Sequence, residues 1–412
     1  MRIVVVGAGI IGLGAAYELA KDGHEITVVD AGHPGRGSTT GSAAKIALAE
    51  TNPVTGPGMV KQGLKWMLNP DSPLYIKPSL APSFIRFMLS MARHCNRADF
   101  RRGLELHLDL ASSCLEILDE WRDEGIEFEE HRRGVLLAYE HTDSFNERRS
   151  HDDVFAKFGY VPEVLGHDEL HIREPALSDR IKHALYYTAD RQLEPQSIVD
   201  SLAKSLVQQD HSVMPNALVT GFHRVDDRVT GVEVDGISLR CDLVVLAAGV
   251  HCGPLSRKLG RPVPIRPGKG YSVDYPDVPT ALAIPLTFED THVAVSPLDG
   301  GLRVAGTMEF AGFDTTVTAR RVEAMKRAAA DGFADWDDSK AHSQPWAGLR
   351  PMTPDGLPVI GHIGGYTNAL VASGHGMLGL TLAPATAKAI AALARRDAPS
   401  ATIAALSPNR FR

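Results

Sequence analysis

The chain has 412 residues, 44% hydrophobic and 23% charged, a composition of the globular α/β range with room for two domains or one large unit. Its formal charge of -7 argues against nucleic acid as a partner, because phosphate binding draws on clustered Lys and Arg. Cys95, Cys114, Cys241 and Cys252 are widely spaced, so neither a disulfide framework nor a zinc site is indicated, and no metal is expected.

Residues 2–6, RIVVV, form a β-branched run of the kind buried in a parallel sheet, and lead without a spacer into GAGIIGLGAAYELAKDG. That reads as strand, glycine turn and helix, with Gly23 stopping the helix and HEITVVD as the next strand. The opening apolar run is too short for a signal-peptide core, and no later stretch approaches the roughly 20 apolar residues that span a bilayer. A cytoplasmic location is expected.

Six prolines between Pro53 and Pro82 rule out a long regular element and mark a crossing between domains. Phe84, Phe87, Met88 and Met91 then share one helical face, which suits core packing or a helix lying on a membrane surface at the inner face. Leu104, Leu108, Ala111, Leu115 and Leu118 continue at helical spacing. A strand-like GVLLAY, a polar helix and a helix starting near Pro195 follow, then short strands in ALVTGF, VTGVEVDG and CDLVVLAAG. GLRVAGTMEF is the clearest later strand, a polar helix covers about 316–331, and the chain closes with strand, glycine loop and helix in ALVASGHGMLGLTLAPATAKAIAALARR.

Gly7, Gly9 and Gly12 fit the dinucleotide fingerprint: one glycine for a tight turn, one for close approach of a pyrophosphate, one for helix–strand contact. The helix N-terminus offers free N–H groups to phosphate. Asp30, ending the following strand, stands where a ribose is held. Two later segments favour FAD over NAD. Ala247, Ala248 and Gly249 end a buried strand suited to a return crossing under the adenosine half. Gly374, Gly376 and Gly379 precede a helix whose N-terminus would stabilise the charge a flavin gains on reduction.

With EPAL (174–177), GKGYSV (268–273), GLRVAGTMEF (301–310), WAGLRPMTPDGLPVIG (346–361) and SGHGMLGLTLAPAT (373–386), the chain resembles the D-amino-acid dehydrogenase and glycine/sarcosine oxidase group of flavoproteins over nearly its whole length. It is nearest the bacterial D-amino-acid dehydrogenase branch. The resemblance implies an α/β fold with an FAD-binding Rossmann-like domain of the glutathione-reductase type (1–75, 190–262 and 345–412). A substrate domain with an antiparallel sheet takes 76–189 and 263–344.

By the same resemblance, Ser38, Thr39, Ala43 and Ala44 line the pyrophosphate and flavin, and Val219 meets the adenine. Ile11, Ala31, Met377 and Leu378 complete the cofactor set. Arg350 matches the arginine that pairs with the substrate carboxylate, and a planar guanidinium is suited to that task. Tyr271 matches a tyrosine found near the same carboxylate in some members. Sarcosine oxidases tether their flavin to a cysteine two residues before the position of Arg350, where this chain has Gly348, so non-covalent FAD is expected. Lys45 departs from the pattern, standing where relatives carry a small or neutral residue. It reads as solvated or, pointing inward, as a group that tunes the flavin or assists oxygen. His375 and His292 are further candidates for the pocket wall.

The implied reaction is oxidation of a small amino acid, of D configuration by branch, to the 2-oxo acid and ammonia, with electrons passed to a quinone or oxygen. Glycine, sarcosine, D-hydroxyproline and glyphosate remain alternative substrates. A flavin subunit of a hetero-oligomeric dehydrogenase, an NAD-linked enzyme, a peripheral membrane contact and an oligomer all remain open.

Overall fold

The computed structural model describes residues 1–67 and 71–411. Among these, Arg2–Val6 is a central strand of a six-stranded sheet, ordered Ser212–Met214, Glu25–Val29, Arg2–Val6, Leu243–Leu246, Ala369–Ser373 and Val359–His362. Neighbours are parallel except the last pair. Both faces are covered, which is why these strands read as unbroken apolar runs. Ile3, Val5, Ile26 and Val245 pack against the Ile10–Lys21, Pro195–Gln208 and Gly379–Ala394 helices. Val4, Val6, Val29 and Val244 pack instead against the antiparallel meander of Val219–Val225, Arg228–Val234 and Ile237–Arg240.

The larger, mostly antiparallel sheet runs Trp346–Met352, Arg266–Tyr275, Gly301–Phe310, Val293–Leu298, Leu286–Phe288, Val135–Tyr139, His183–Tyr187, Glu163–Leu165, with Leu74–Ile76 paired beside Gly301–Phe310. One of its faces, with Val273, Val293, Val304 and Leu286, is packed under the Ala319–Ala330 helix. The alternate residues Thr287, Ala294 and Ala305 look the other way, into a cavity.

Two segments fall on the other side of the expected division. Trp346–Met352 pairs with Arg266–Tyr275 from Ser272↔Trp346 to Arg266↔Met352, and Leu74–Ile76 pairs with Met308–Phe310. Each finds its backbone partners at an edge or end of the larger sheet, which no local pattern announces. The helical run through Leu118 is also two helices, Arg97–Ala111 and Cys114–Asp123. The Phe84–Met91 stripe packs inward, Phe87 meeting Met308, Phe310 and Met352.

Candidate active site

A cavity of about 1490 Å³ lies between the C-terminal ends of the six-stranded sheet and the open face of the larger one. It exceeds the roughly 300–1,000 Å³ of a pocket for one small ligand, so it has room for a large cofactor and a substrate together.

At one end the geometry is set by backbone. Gly7 has φ +114°, and a Cβ there would stand 2.5 Å from the Ala247 carbonyl oxygen; at Gly12 it would stand 1.9 Å from that of Gly7. Strand and helix therefore touch without side chains between them, which leaves the Ile10–Lys21 helix start open to the cavity. Asp30 accepts hydrogen bonds from Ala8 N–H (2.7 Å) and Gly32 N–H (2.8 Å). The glycine turn is thereby locked to the end of the second strand. Gly7, Gly9, Ile11, Asp30, Ala31, Val219, Ala247, Ala248 and Gly249 all line the cavity; Gly12 lies behind the wall.

The loop through Ser38–Ala44 joins the two sheets. Ser38 Oγ donates to Leu349 O, Ser296 Oγ to Ala43 O (2.7 Å), and Arg303 Nη1 to Thr40 O (2.8 Å) and Ser42 O (3.1 Å). Ser38, Thr39 and Ala43 line the cavity. Ala44 does not: it is fully buried with φ +56°, and its carbonyl accepts from Leu193 N–H (2.9 Å). That pairing turns it into the wall.

The C-terminal loop closes the opposite end. Gly374 (φ +76°) makes the turn without reaching the cavity, its Cβ position lying 2.6 Å from Thr353. His375, Gly376, Met377, Leu378 and Gly379 line the wall at the start of the Gly379–Ala394 helix. Gly376 N–H donates to Pro351 O (3.0 Å), so this helix start is fastened one residue beyond Arg350. His375 is buried, with Nε2 on Thr386 Oγ1 (2.9 Å) and Nδ1 without a partner among the described residues. Burial pulls its pKa down to about 3, so it is neutral at physiological pH.

Arg350 reaches from its own strand across Gly270, where a Cβ would be 2.0 Å from its Nη1. There Nη1 donates to the carbonyl of Thr307 (2.6 Å). Among the described residues no carboxylate pairs with this guanidinium, and burial alone pulls its pKa down to about 10. A half-buried cation with no counter-charge beside it is matched best when an anion arrives. Thr307 is itself unusual: φ is +64°, a conformation costing of order 1–3 kcal/mol for a β-branched residue. Sequence reasoning passed over Thr307 and Gly270, since nothing in a strand-like GLRVAGTMEF announces a bulge.

Three further candidates separate. Tyr271 does not line the cavity; it is buried on the packed face, its hydroxyl donating to Glu309 Oε1 (2.7 Å) and accepting from Thr318 N–H (3.2 Å). Strand alternation puts it opposite to Arg350's side of the sheet, and the expectation of a carboxylate contact is withdrawn. Lys45 is buried against the cavity wall and donates to both Glu50 and Thr287, so the solvated reading is overturned. His292 lines the cavity in a T-shaped contact with Trp66 at 5.6 Å.

The family model described as FAD dependent oxidoreductase (DAO) matches residues 2–393. The chain belongs to this FAD-dependent oxidoreductase family. A D-amino acid dehydrogenase of Cereibacter sphaeroides is 32% identical, the match covering all of this chain and 95% of that one. In fold, the chain is similar to glycine oxidase from Geobacillus kaustophilus (TM-score 0.77, 20% identity, 99% of both chains). It is also similar to L-proline dehydrogenase from P. horikoshii (TM-score 0.78, 18% identity, 100% of this chain and 97% of that one).

FAD is the family's cofactor, and the cavity fits it. The glycine turn at Gly7 and Gly9, the Asp30 carboxylate and a second helix start at Gly379 lie along one continuous wall. A diphosphate, a ribose and an electron-rich ring would each meet complementary groups there.

Proposed function

We propose that the protein oxidises the Cα–N bond of a small amino acid of D configuration, giving an imine that water hydrolyses to a 2-oxo acid and ammonia. Bound FAD supplies the hydride acceptor. Arg350 carries the reading: an unpaired guanidinium at the wall of a cofactor cavity is matched by an α-carboxylate. Its hydrogen bond to Thr307 and the glycine beneath it hold the fork in place before substrate arrives, so orientation is built into the resting site. The 32% identity to a D-amino acid dehydrogenase supports the D configuration. Glycine, sarcosine, D-hydroxyproline and glyphosate are the competing substrates.

Anaerobic mixing of the yellow protein with D- and L-amino acids tests this. Bleaching by D isomers is expected, and a flavin that stays oxidised throughout the panel would sink the reading.

Non-covalent attachment of FAD rests on Gly348. A Cβ there would lie 1.8 Å from the Trp346 ring, so a tethering cysteine has no room beside this tryptophan. Acid denaturation is expected to leave the flavin in the supernatant.

For the acceptor we favour a membrane quinone. Ile85 and Leu89 on Pro82–His94 are exposed at helical spacing, with Leu80 92% exposed just before that helix, and Val60, Leu64 and Met67 on Met59–Met67 are exposed where they also line the cavity. Lys61, Lys65, Arg86 and Arg93 accompany them, the composition of a helix pair resting on an anionic lipid surface. No helix among the described residues is long and apolar enough to cross a membrane. Co-sedimentation with anionic vesicles, lost in Leu64→Glu/Leu89→Glu, is the expected result. Rapid reoxidation by air without vesicles would instead favour oxygen.

A further inference from the structure

Cysteine spacing gives no hint of a metal, but the fold gathers two histidines and a carboxylate at the far edge of the larger sheet. The helix His167–Arg173 follows the edge strand Glu163–Leu165. His167 and His171 are one helical turn apart and share a face, their ring centroids 4.3 Å from each other. The chain then turns back through EPAL and brings Asp179 against that face. His167, His171 and Asp179 each offer one ligand atom within 4.8 Å of the others. His167 Nε2 is 3.6 Å from Asp179 Oδ1, and His171 Nε2 is 3.2 Å from Ser178 O. Two ligands about 2.1 Å from one ion stand roughly 3.0–3.4 Å apart at octahedral or tetrahedral angles, so a shared cation needs little movement here.

The proton positions on the rings agree with this. His171 Nδ1 lies 2.8 Å from His167 O, and His167 Nδ1 lies 3.1 Å from Asp168 Oδ1. Both oxygens only accept, so each neutral ring carries its proton on Nδ1 and turns the bare lone pair of Nε2 towards Ser178 and Asp179. Lone pairs then face oxygen lone pairs, a conflict that a cation relieves. Metal-bound histidines are oriented in this way, their other ring N–H donating to a carbonyl or carboxylate. A second group of the same residue types behaves differently. There His131 Nδ1 faces the Arg133 guanidinium at 3.3 Å, which only donates, so the proton sits on Nε2 and is given to Glu129 at 3.0 Å. That group is satisfied without an ion.

We propose that His167, His171 and Asp179 form a zinc site, with water completing the shell. Two imidazoles and a carboxylate suit zinc, whereas magnesium and calcium favour oxygen ligands. None of the three residues lines the cofactor cavity, so the ion is structural. It clips the helix to the segment that follows Glu174, whose carboxylate accepts from Ala283 N–H (3.0 Å) and Ile284 N–H (2.9 Å) just ahead of the Leu286–Phe288 strand.

The test uses tag-free, FAD-bound full-length protein freed of metal by a chelator, with zinc chloride as the probe. Equilibrium dialysis reads bound zinc and calorimetry reads the melting temperature. One equivalent bound at low micromolar free zinc, with a raised melting temperature, is expected. His167→Ala and His171→Ala should each weaken zinc binding by roughly 100-fold, the upper end of what losing an outer hydrogen-bond partner costs, and cancel the rise in melting temperature. The flavin spectrum should stay that of the parent. His131→Ala should bind zinc as the parent does. Should a histidine variant fail to fold, Asp179→Asn, on a side chain 93% exposed, carries the test with an expected loss of roughly tenfold.

A parent protein that takes up no zinc overturns the proposal. So does parent-like affinity in the variants of His167, His171 or Asp179, or loss of zinc in His131→Ala.

Discussion

The two ends of the cavity are built by opposite means. The Gly7–Gly12 end is made of contiguous residues and works by leaving side chains out: backbone meets backbone at Ala247, which leaves the helix start open to the cavity. The Arg350 end is assembled from three strands far apart in the chain and works by placing side chains, with Gly270 cleared so that a guanidinium can cross to Thr307. The first end tolerates almost no added atoms. The second is cleared by glycines too, at Gly270 and Gly348, but what it presents to the cavity is a charged side chain, so it responds to changes in charge and hydrogen bonding.

Breaking each end should show this contrast, most severely at the glycines. Gly12→Val adds a side chain where a Cβ already lies 1.9 Å from a backbone oxygen. It is expected to yield protein without flavin, or none that folds, read from visible absorbance after purification. Yellow, stable Gly12→Val protein would refute the backbone-contact account.

At the other end, Arg350→Met is expected to keep FAD and a melting temperature close to the parent, since the loss of the hydrogen bond to Thr307 O is offset by removal of a half-buried cation that has no carboxylate partner. Its carboxylate affinity should fall by roughly 2–5 kcal/mol. Calorimetry and propionate titration on the same sample decide both points. A strongly destabilised variant would mean that the hydrogen bond to Thr307 O makes the arginine a structural residue first.

Acid should sharpen the comparison differently. His375 and His107 are buried neutral, burial pulling their pKa values to about 3 and about 4, below the ordinary 6.5. In the unfolded chain they protonate first, so their contribution to stability is complete above about pH 6.5 and is lost as pH falls towards 4. His107→Asn, whose native ring bonds Thr51 O at 2.7 Å, is expected to be less stable at pH 8 but to show a shallower loss between pH 6.5 and 4. Thermal melts across that range provide the check.

The smallest effect is expected at Lys45. Its ammonium is engaged by Glu50 and Thr287, so Lys45→Met should cost about 1–3 kcal/mol, below the full cost of breaking a fully buried pair because Glu50 keeps 26% side-chain exposure. Flavin reoxidation should change little. A large fall in reoxidation rate at unchanged stability would instead give Lys45 a part in electron transfer.

The family, the cofactor and the first strand–turn–helix unit were legible because each is written in neighbouring residues. RIVVV, the glycine spacing and Asp30 need only local chain geometry to predict a phosphate cradle. Arg350 was legible too, through the motif around it. The orientations of Tyr271, Ala44 and Lys45 were not: a side chain's face in a strand depends on which neighbour sets the register, and a one-residue slip reverses it, while Ala44, just before a strand, is turned by its positive φ.

By itself, then, the sequence established a buried parallel sheet, a dinucleotide turn and an arginine suited to a carboxylate, all properties of short contiguous stretches. Only the tertiary structure decided that Trp346–Met352 joins the larger sheet, that Gly270 yields its space to Arg350, and that a bulge turns Thr307 into the cavity. Those outcomes depend on hydrogen bonds and packing between segments distant in the chain, energies that no local pattern encodes.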